Sequence, residues 1–211
     1  MQPVIKTLGK IGRFEIERVD GAWIRKNLDP DFTNWGQHFR QTYIPKYKIW
    51  LDQEATPDEE VFFLSAALVM HQQMSAGKKY EEALKVANAV ERKERGKKLV
   101  SDRKPLPPEL LAKVVLDDLG GDGVRVKLVD GKLIRDKVDP NFTEGGHDLV
   151  YPYIPHGTVW LDNDLMPQDA QPTLVHEVGE RKDMADGMAY PPAHRRALGR
   201  EWAVRHRYSI D

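Results

Sequence analysis

The feature that most constrains this chain is that it carries the same pattern twice. Val19-Asp20-Gly21 returns as Val129-Asp130-Gly131, Asp29-Pro30 as Asp139-Pro140, and Phe32-Thr33 as Phe142-Thr143. Tyr43-Ile44-Pro45 returns as Tyr153-Ile154-Pro155, and Trp50-Leu51-Asp52 as Trp160-Leu161-Asp162, always at an offset of 110 residues. The same ungapped shift pairs Pro57, Leu64, Met74, Gly77, Tyr80 and Ala83 with Pro167, Leu174, Met184, Gly187, Tyr190 and Ala193. A register held over that length marks a duplicated module, so one fold has to satisfy both halves. The 211 residues divide into a first copy over 1–96, a polar linker with prolines over 97–108, and a second copy over 109–211. Each copy is large enough to bury a modest core.

Each copy reads as β-β-β-α-α. In the second, alternation from Val124 to Val129 runs into Asp130-Gly131, a hairpin signal, and a second strand is expected over Leu133–Val138. A glycine-bearing loop, Asn141–Asp148, leads to a third strand over Tyr153–Leu161. The first copy repeats these strands over Phe14–Val19, Trp23–Leu28 and Tyr43–Leu51. Helices follow over 57–75 and 79–95, and again over 167–186 and 191–207, with Gly77 and Gly187 suited to C-terminal caps. A further helix is expected over Glu109–Leu119, and its counterpart, Val4–Leu8, is too short to contain all of it. The expected fold class is α+β, a tandem duplication in which a helix hairpin covers a small antiparallel sheet in each half.

The bulk chemistry excludes several classes. A formal net charge of −1 with 31% charged residues gives no global footprint of a nucleic-acid binder. The absence of cysteine removes disulfides, thiolate nucleophiles and cysteine metal sites. No segment has the layout of a signal peptide. The longest apolar run, 61–70, is about half of what a bilayer crossing needs. No membrane or nucleic-acid partner is therefore expected, and the location expected is the cytoplasm or the interior of a larger particle.

The copies differ where chemistry would sit. Ala66, Ala67, Met70 and Leu84 become His176, Glu177, Glu180 and His194, and Gln37 becomes His147. Alone, the helix face bearing His176, Glu180 and Asp183 would be read as solvated. The first copy fills the equivalent face with apolar side chains, so these groups are expected to point inwards. Buried imidazoles and carboxylates without partners cost several kcal/mol, so they must pair, hydrogen-bond or bind a metal. His176 and Glu180 stand at i and i+4, one above the other on a helix, and can grip one ion, with His194 completing a set and Glu177 leaning towards a bound water. His176, Glu180 and Glu201 form a competing set. His147, Asp183 and Tyr190 are additional candidates.

His176-Glu177-Val178-Gly179-Glu180 reads HExxE, and here the chain resembles the minimal zincin-like metallopeptidases, whose active helix bears HExxH beside an edge strand. The second histidine of that motif is Glu180 in this chain. The string from His176 through Glu180-Arg181, Gly187 and Tyr190 to Ala193-His194 also resembles uncharacterised phage and prophage proteins. The first resemblance implies a metal-dependent hydrolase of peptide or amide bonds, with a divalent ion (zinc, or manganese), Glu177 as catalytic base, and a peptide or protein as substrate. The alternative is a non-enzymatic, phage-associated structural or interaction protein. In either case the repeats are expected to pair as an intramolecular pseudo-dimer, which in the alternative holds a polar or structural metal cluster.

Overall fold

The computed structural model describes residues 3–53, 57–96, 105–121 and 123–207, so most of the expected linker lies outside the described residues. The chain forms two compact units, one of Met1–Ile24 with Phe32–Lys98, the other of Leu99–Asp211 with Arg25–Asp31. The first contains β1 (Val4–Ile11), β2 (Phe14–Val19), the start of α1 (Gly21–Asn27), β3 (Trp35–Gln37), β4 (Lys48–Asp52), a 3-10 turn at Pro57–Glu59, α2 (Glu60–Ser75) and α3 (Tyr80–Glu94). The second contains α4 (Pro108–Val114), β5 (Val115–Gly120), β6 (Arg125–Val129), α5 (Gly131–Lys137), β7 (Gly145–His147), β8 (Thr158–Asp162), α6 (Pro167–Ala185) and α7 (Tyr190–Arg207). Among the described residues, no helix is long and apolar enough to cross a membrane.

The α+β class and the duplication hold, while the inside of the module differs from the sequence reading. Each sheet has four strands, ordered β1-β2-β4-β3 and β5-β6-β8-β7. The central pairs, β2 with β4 and β6 with β8, are parallel, so the sheets are mixed rather than antiparallel. The parallel pairing follows from α1 and α5, which replace the expected second strands and carry the chain back across the sheet. Asp130-Gly131 is not a hairpin turn: Asp130 caps α5 by accepting a hydrogen bond from Leu133 N at 2.8 Å. Asp20 does the same for Trp23 at 3.0 Å. Glycine is needed next to each cap because a Cβ on Gly131 or Gly21 would lie 1.9 Å from the carboxylate of Asp162 or Asp52. The expected helix over 109–119 also divides, into α4 and the edge strand β5.

Strand alternation sends neighbouring residues to opposite faces. Ile16, Ile49 and Leu51 pack with Phe63 and Ala67 of α2, while Trp50 turns to Val19, Ile24, Phe32 and Ile44. In the second unit Trp160 packs with Val129, Ile134, Phe142 and Tyr153. The helix pairs α2/α3 and α6/α7 close over the strands, with Ala83 and Ala87, or Ala193 and Ala197, buried where the helices meet.

Each helix pair is also held by a buried arginine. In the first unit Arg95 reaches Glu59 at 2.6 Å and Glu91 at 2.8 Å. In the second, Arg205 pairs with Asp169 and, at 2.7 Å, with Glu201. Arg95, Glu59 and Glu91 are all buried, so removing the cation strands two carboxylates away from water. Arg95→Met should therefore cost about 3–5 kcal/mol in urea denaturation, whereas Lys93→Met on the exposed face of α3 should stay within about 0.5 kcal/mol.

Candidate metal centre

The buried face of α6 is polar: Thr173, His176, Glu180 and Asp183 occupy the positions that Phe63, Ala66, Met70 and Gln73 take in α2. His194 and Glu201 enter from α7, and His147 from the edge strand β7. His194 Nδ1 lies 2.7 Å from Glu180 Oε2 and 3.2 Å from His176 Nε2, and His176 Nε2 lies 3.5 Å from the same carboxylate oxygen. Glu180 Oε1 meets His147 Nε2 at 3.0 Å. Two overlapping donor groups result, His176 with Glu180 and His194, and His147 with Glu177 and Glu180, each with its ligand atoms within 4.8 Å of one another.

The ring nitrogens that point away from the first group also meet carboxylates. His176 Nδ1 lies 2.8 Å from Glu201 Oε2, and His194 Nε2 lies 3.5 Å from Asp31 Oδ1. A carboxylate there takes one ring N–H, so that an ion displacing the proton on the opposite nitrogen meets that nitrogen's lone pair, the arrangement common behind metal-binding histidines. Behind Glu201 the chain of pairs continues through Arg205 to Asp169, which Arg25 grips at 2.9 and 3.0 Å. Arg25 also reaches Glu144 at 2.8 Å. Burial raises the Glu144 carboxyl to about 8, and the residue adopts a φ of +55°, costly for a side chain with a Cβ.

Room for this chemistry comes from one exchange in β7. Gly145 stands where the first copy has Trp35, whose ring packs against the clusters containing Ala66, Ala67 and Met70. A Cβ on Gly145 would already lie 3.0 Å from Glu177 Cγ, so the glycine is what lets Glu177 occupy the place of Ala67.

Electrostatics follow from burial and pairing. Burial opposes charge on His176, but hydrogen bonds to Glu180 and Glu201 outweigh it and raise the imidazole to about 10. Hydrogen bonds to Asp31 and Glu180 raise His194 to about 9. Burial would raise Glu180, yet the three histidines around it hold its carboxyl well below the usual range. Glu177 is governed by burial and moves up to about 7.

No family model, curated protein or solved structure matches this chain. The fit to an ion therefore rests on geometry. A tetrahedral zinc with bonds of about 2.0–2.1 Å keeps its donors roughly 3.3 Å apart. The donor atoms of His176, Glu180 and His194 stand 2.7, 3.2 and 3.5 Å apart, so small rotations suffice. The residues fit a divalent cation.

Of the residues singled out from sequence, His147, His176, Glu177, Glu180, His194 and Glu201 come together. Asp183 does not join them: it turns to Arg200 at 2.8 Å and Arg196 at 3.3 Å near the end of the helix hairpin. Tyr190 stacks on His194 with ring centres 5.3 Å apart. Arg205, Asp169, Asp31, Arg25 and Glu144 were missed. The first two had a signal, since the 110-residue shift places Arg205 on Arg95, Glu201 on Glu91, and Asp169 on Glu59.

The raised imidazoles link stability to pH in chelator-treated protein. Free imidazole titrates near 6.5, so the contribution of the pair is complete below that pH and is lost as pH rises through about 9 to 10. Glu180 acts at the other end, its contribution present above its ordinary value and lost in acid. Denaturation midpoints should fall more steeply for wild type than for His176→Ala between about pH 6.5 and 10. Parallel curves would remove the linkage.

Proposed function

We propose that the second repeat is a metal-dependent hydrolase of peptide or amide bonds, with His176, Glu180 and His194 as ligands and Glu177 as general base. The observation that supports this most is the backing of both histidines by carboxylates, which leaves the two nitrogens facing Glu180 Oε2 as the ones whose protons an ion would displace. Two imidazoles and one carboxylate suit zinc; manganese is the alternative where further oxygen ligands join.

A divalent ion held there supplies Lewis acidity to a substrate carbonyl. The chain supplies the rest. Glu177, adjoining Glu180 and His147, takes a proton from water as its oxygen adds to the carbonyl carbon, and returns that proton to the nitrogen as the C–N bond breaks. Glu201 holds His176 and Asp31 holds His194, so neither ring has to reorient during the reaction. This reading keeps the likeness to zincin-like peptidases in the roles of His176 and Glu177, and differs from that pattern at Glu180.

A second reading has its own support. The hydrogen bonds of His147, Glu180, His194, His176 and Glu201 close among themselves, as a structural cluster in an interaction protein would require. Metal analysis of untagged protein, joined to a peptide-hydrolysis assay, separates the two. The hydrolase reading expects about one equivalent of ion in wild type and in Glu177→Gln, little in His176→Ala, and turnover reduced about 10²–10⁴-fold by Glu177→Gln. Metal-free protein whose melting ignores chelator would favour the structural cluster.

A further inference from the structure

We propose that His147 is a positioning residue and not a metal ligand: its Nε2–H holds Glu180 Oε1 and leaves Oε2 to the ion. The proposal rests on the metal-site reading above and divides its two overlapping donor groups into one that binds and one that supports. The decisive contact lies on the far side of the ring. Leu149 N donates to His147 Nδ1 at 3.3 Å. A backbone N–H can only donate, so Nδ1 presents its lone pair and the ring proton stands on Nε2. Nε2 then donates to Glu180 Oε1 at 3.0 Å. An ion bound at Nε2 would need a lone pair there, which would move the ring proton to Nδ1 against the Leu149 N–H, whereas the far nitrogens of His176 and His194 face carboxylates and can keep a proton. The group of His147, Glu177 and Glu180 is therefore not a second metal site, and Glu177 stays free to move protons.

The first copy supports the same assignment with a different side chain. Gln37 stands at the matching position and is fully buried, like His147. Its Oε1 accepts from Phe39 N at 2.8 Å, the counterpart of Leu149 N. Its Nε2 donates inwards to Met74 Sδ at 3.9 Å. Amide and imidazole thus share one layout: an acceptor facing the backbone N–H two residues on, and a donor facing the helix. The module uses this position to send an N–H towards the helix above it, whether or not a carboxylate waits there.

Titration calorimetry with Zn²⁺ alone, on wild type, His147→Gln and His147→Leu, tests the assignment. Wild type should bind one equivalent, His147→Gln should bind one equivalent within about threefold of the same affinity, and His147→Leu should bind about 10–100-fold more weakly. Two equivalents in wild type falling to one in His147→Gln would overturn the proposal, as would a glutamine variant no better than the leucine one. Long-range proton–nitrogen NMR of the imidazole in metal-free wild type gives an independent readout. An Nε2-protonated ring with Nδ1 as acceptor supports the proposal, and an Nδ1-protonated ring overturns it. Should wild type take up no zinc, the metal-site reading fails, and the tautomer still decides the role of His147.

Discussion

A guanidinium sealed between carboxylates from two packed segments is the interaction on which this architecture turns. Arg95 and Arg205 do the same work in the two units, each joining the last turn of the second long helix to an acid at the start of the first. A buried ion pair of this kind adds little net stability over an apolar substitute but is costly to break, so its main effect is to fix one alignment of the helices. In the second unit that alignment has a further consequence. Glu201 offers Oε1 to Arg205 and Oε2 to His176, so the contact that sets the helix register also sets the angle of the His176 ring. The first unit keeps the acid and the arginine but has Ala66 where the ring would be. The clamp is common to both halves, and in the second the buried polar cluster adjoins it.

The duplication, the α+β class and the inward direction of the polar face on α6 were legible in the sequence, the last only because the first copy supplied an apolar reference at each position. Elements of seven residues were not legible. Leu133–Val138 reads as a strand by composition, yet Asp130 caps a helix there and Gly131 admits the Asp162 carboxylate, and both causes lie outside the run itself. Gly145–His147 reads as a turn because glycine is a poor strand former; pairing with β8 over three residues overrides that preference. Arg205, Glu201 and Asp169 stand in register with Arg95, Glu91 and Glu59, but charge alone does not distinguish a paired buried ion from a solvated one. Asp31 and Arg25 could not have been found by reading the second copy, since they belong to the first copy in sequence and join the second unit only through the fold.

The polar cluster also shows how a packed module accommodates buried polar groups without losing its core. Its members replace side chains at the meeting of α6, α7 and β7, while Trp160, Val129, Ile134 and Phe142 on the other side of the sheet remain apolar. Charges introduced on one face are balanced there: His176 and His194 meet Glu180, Glu201 and Asp31. The hydrophobic layer beneath is left unchanged, so site and scaffold can vary with little mutual cost.

The exchange of Trp35 for Gly145 ties two positions into one choice. Trp35 packs beside Ala67 in the first copy, and in the second a Cβ on Gly145 would already meet Glu177 Cγ at 3.0 Å. An indole together with a glutamate side chain would overfill this meeting of strand and helix, whereas a glycine facing an alanine would leave a hole. Large with small and small with large are the two pairings that fill the space, so neither position can be swapped between the copies without its companion.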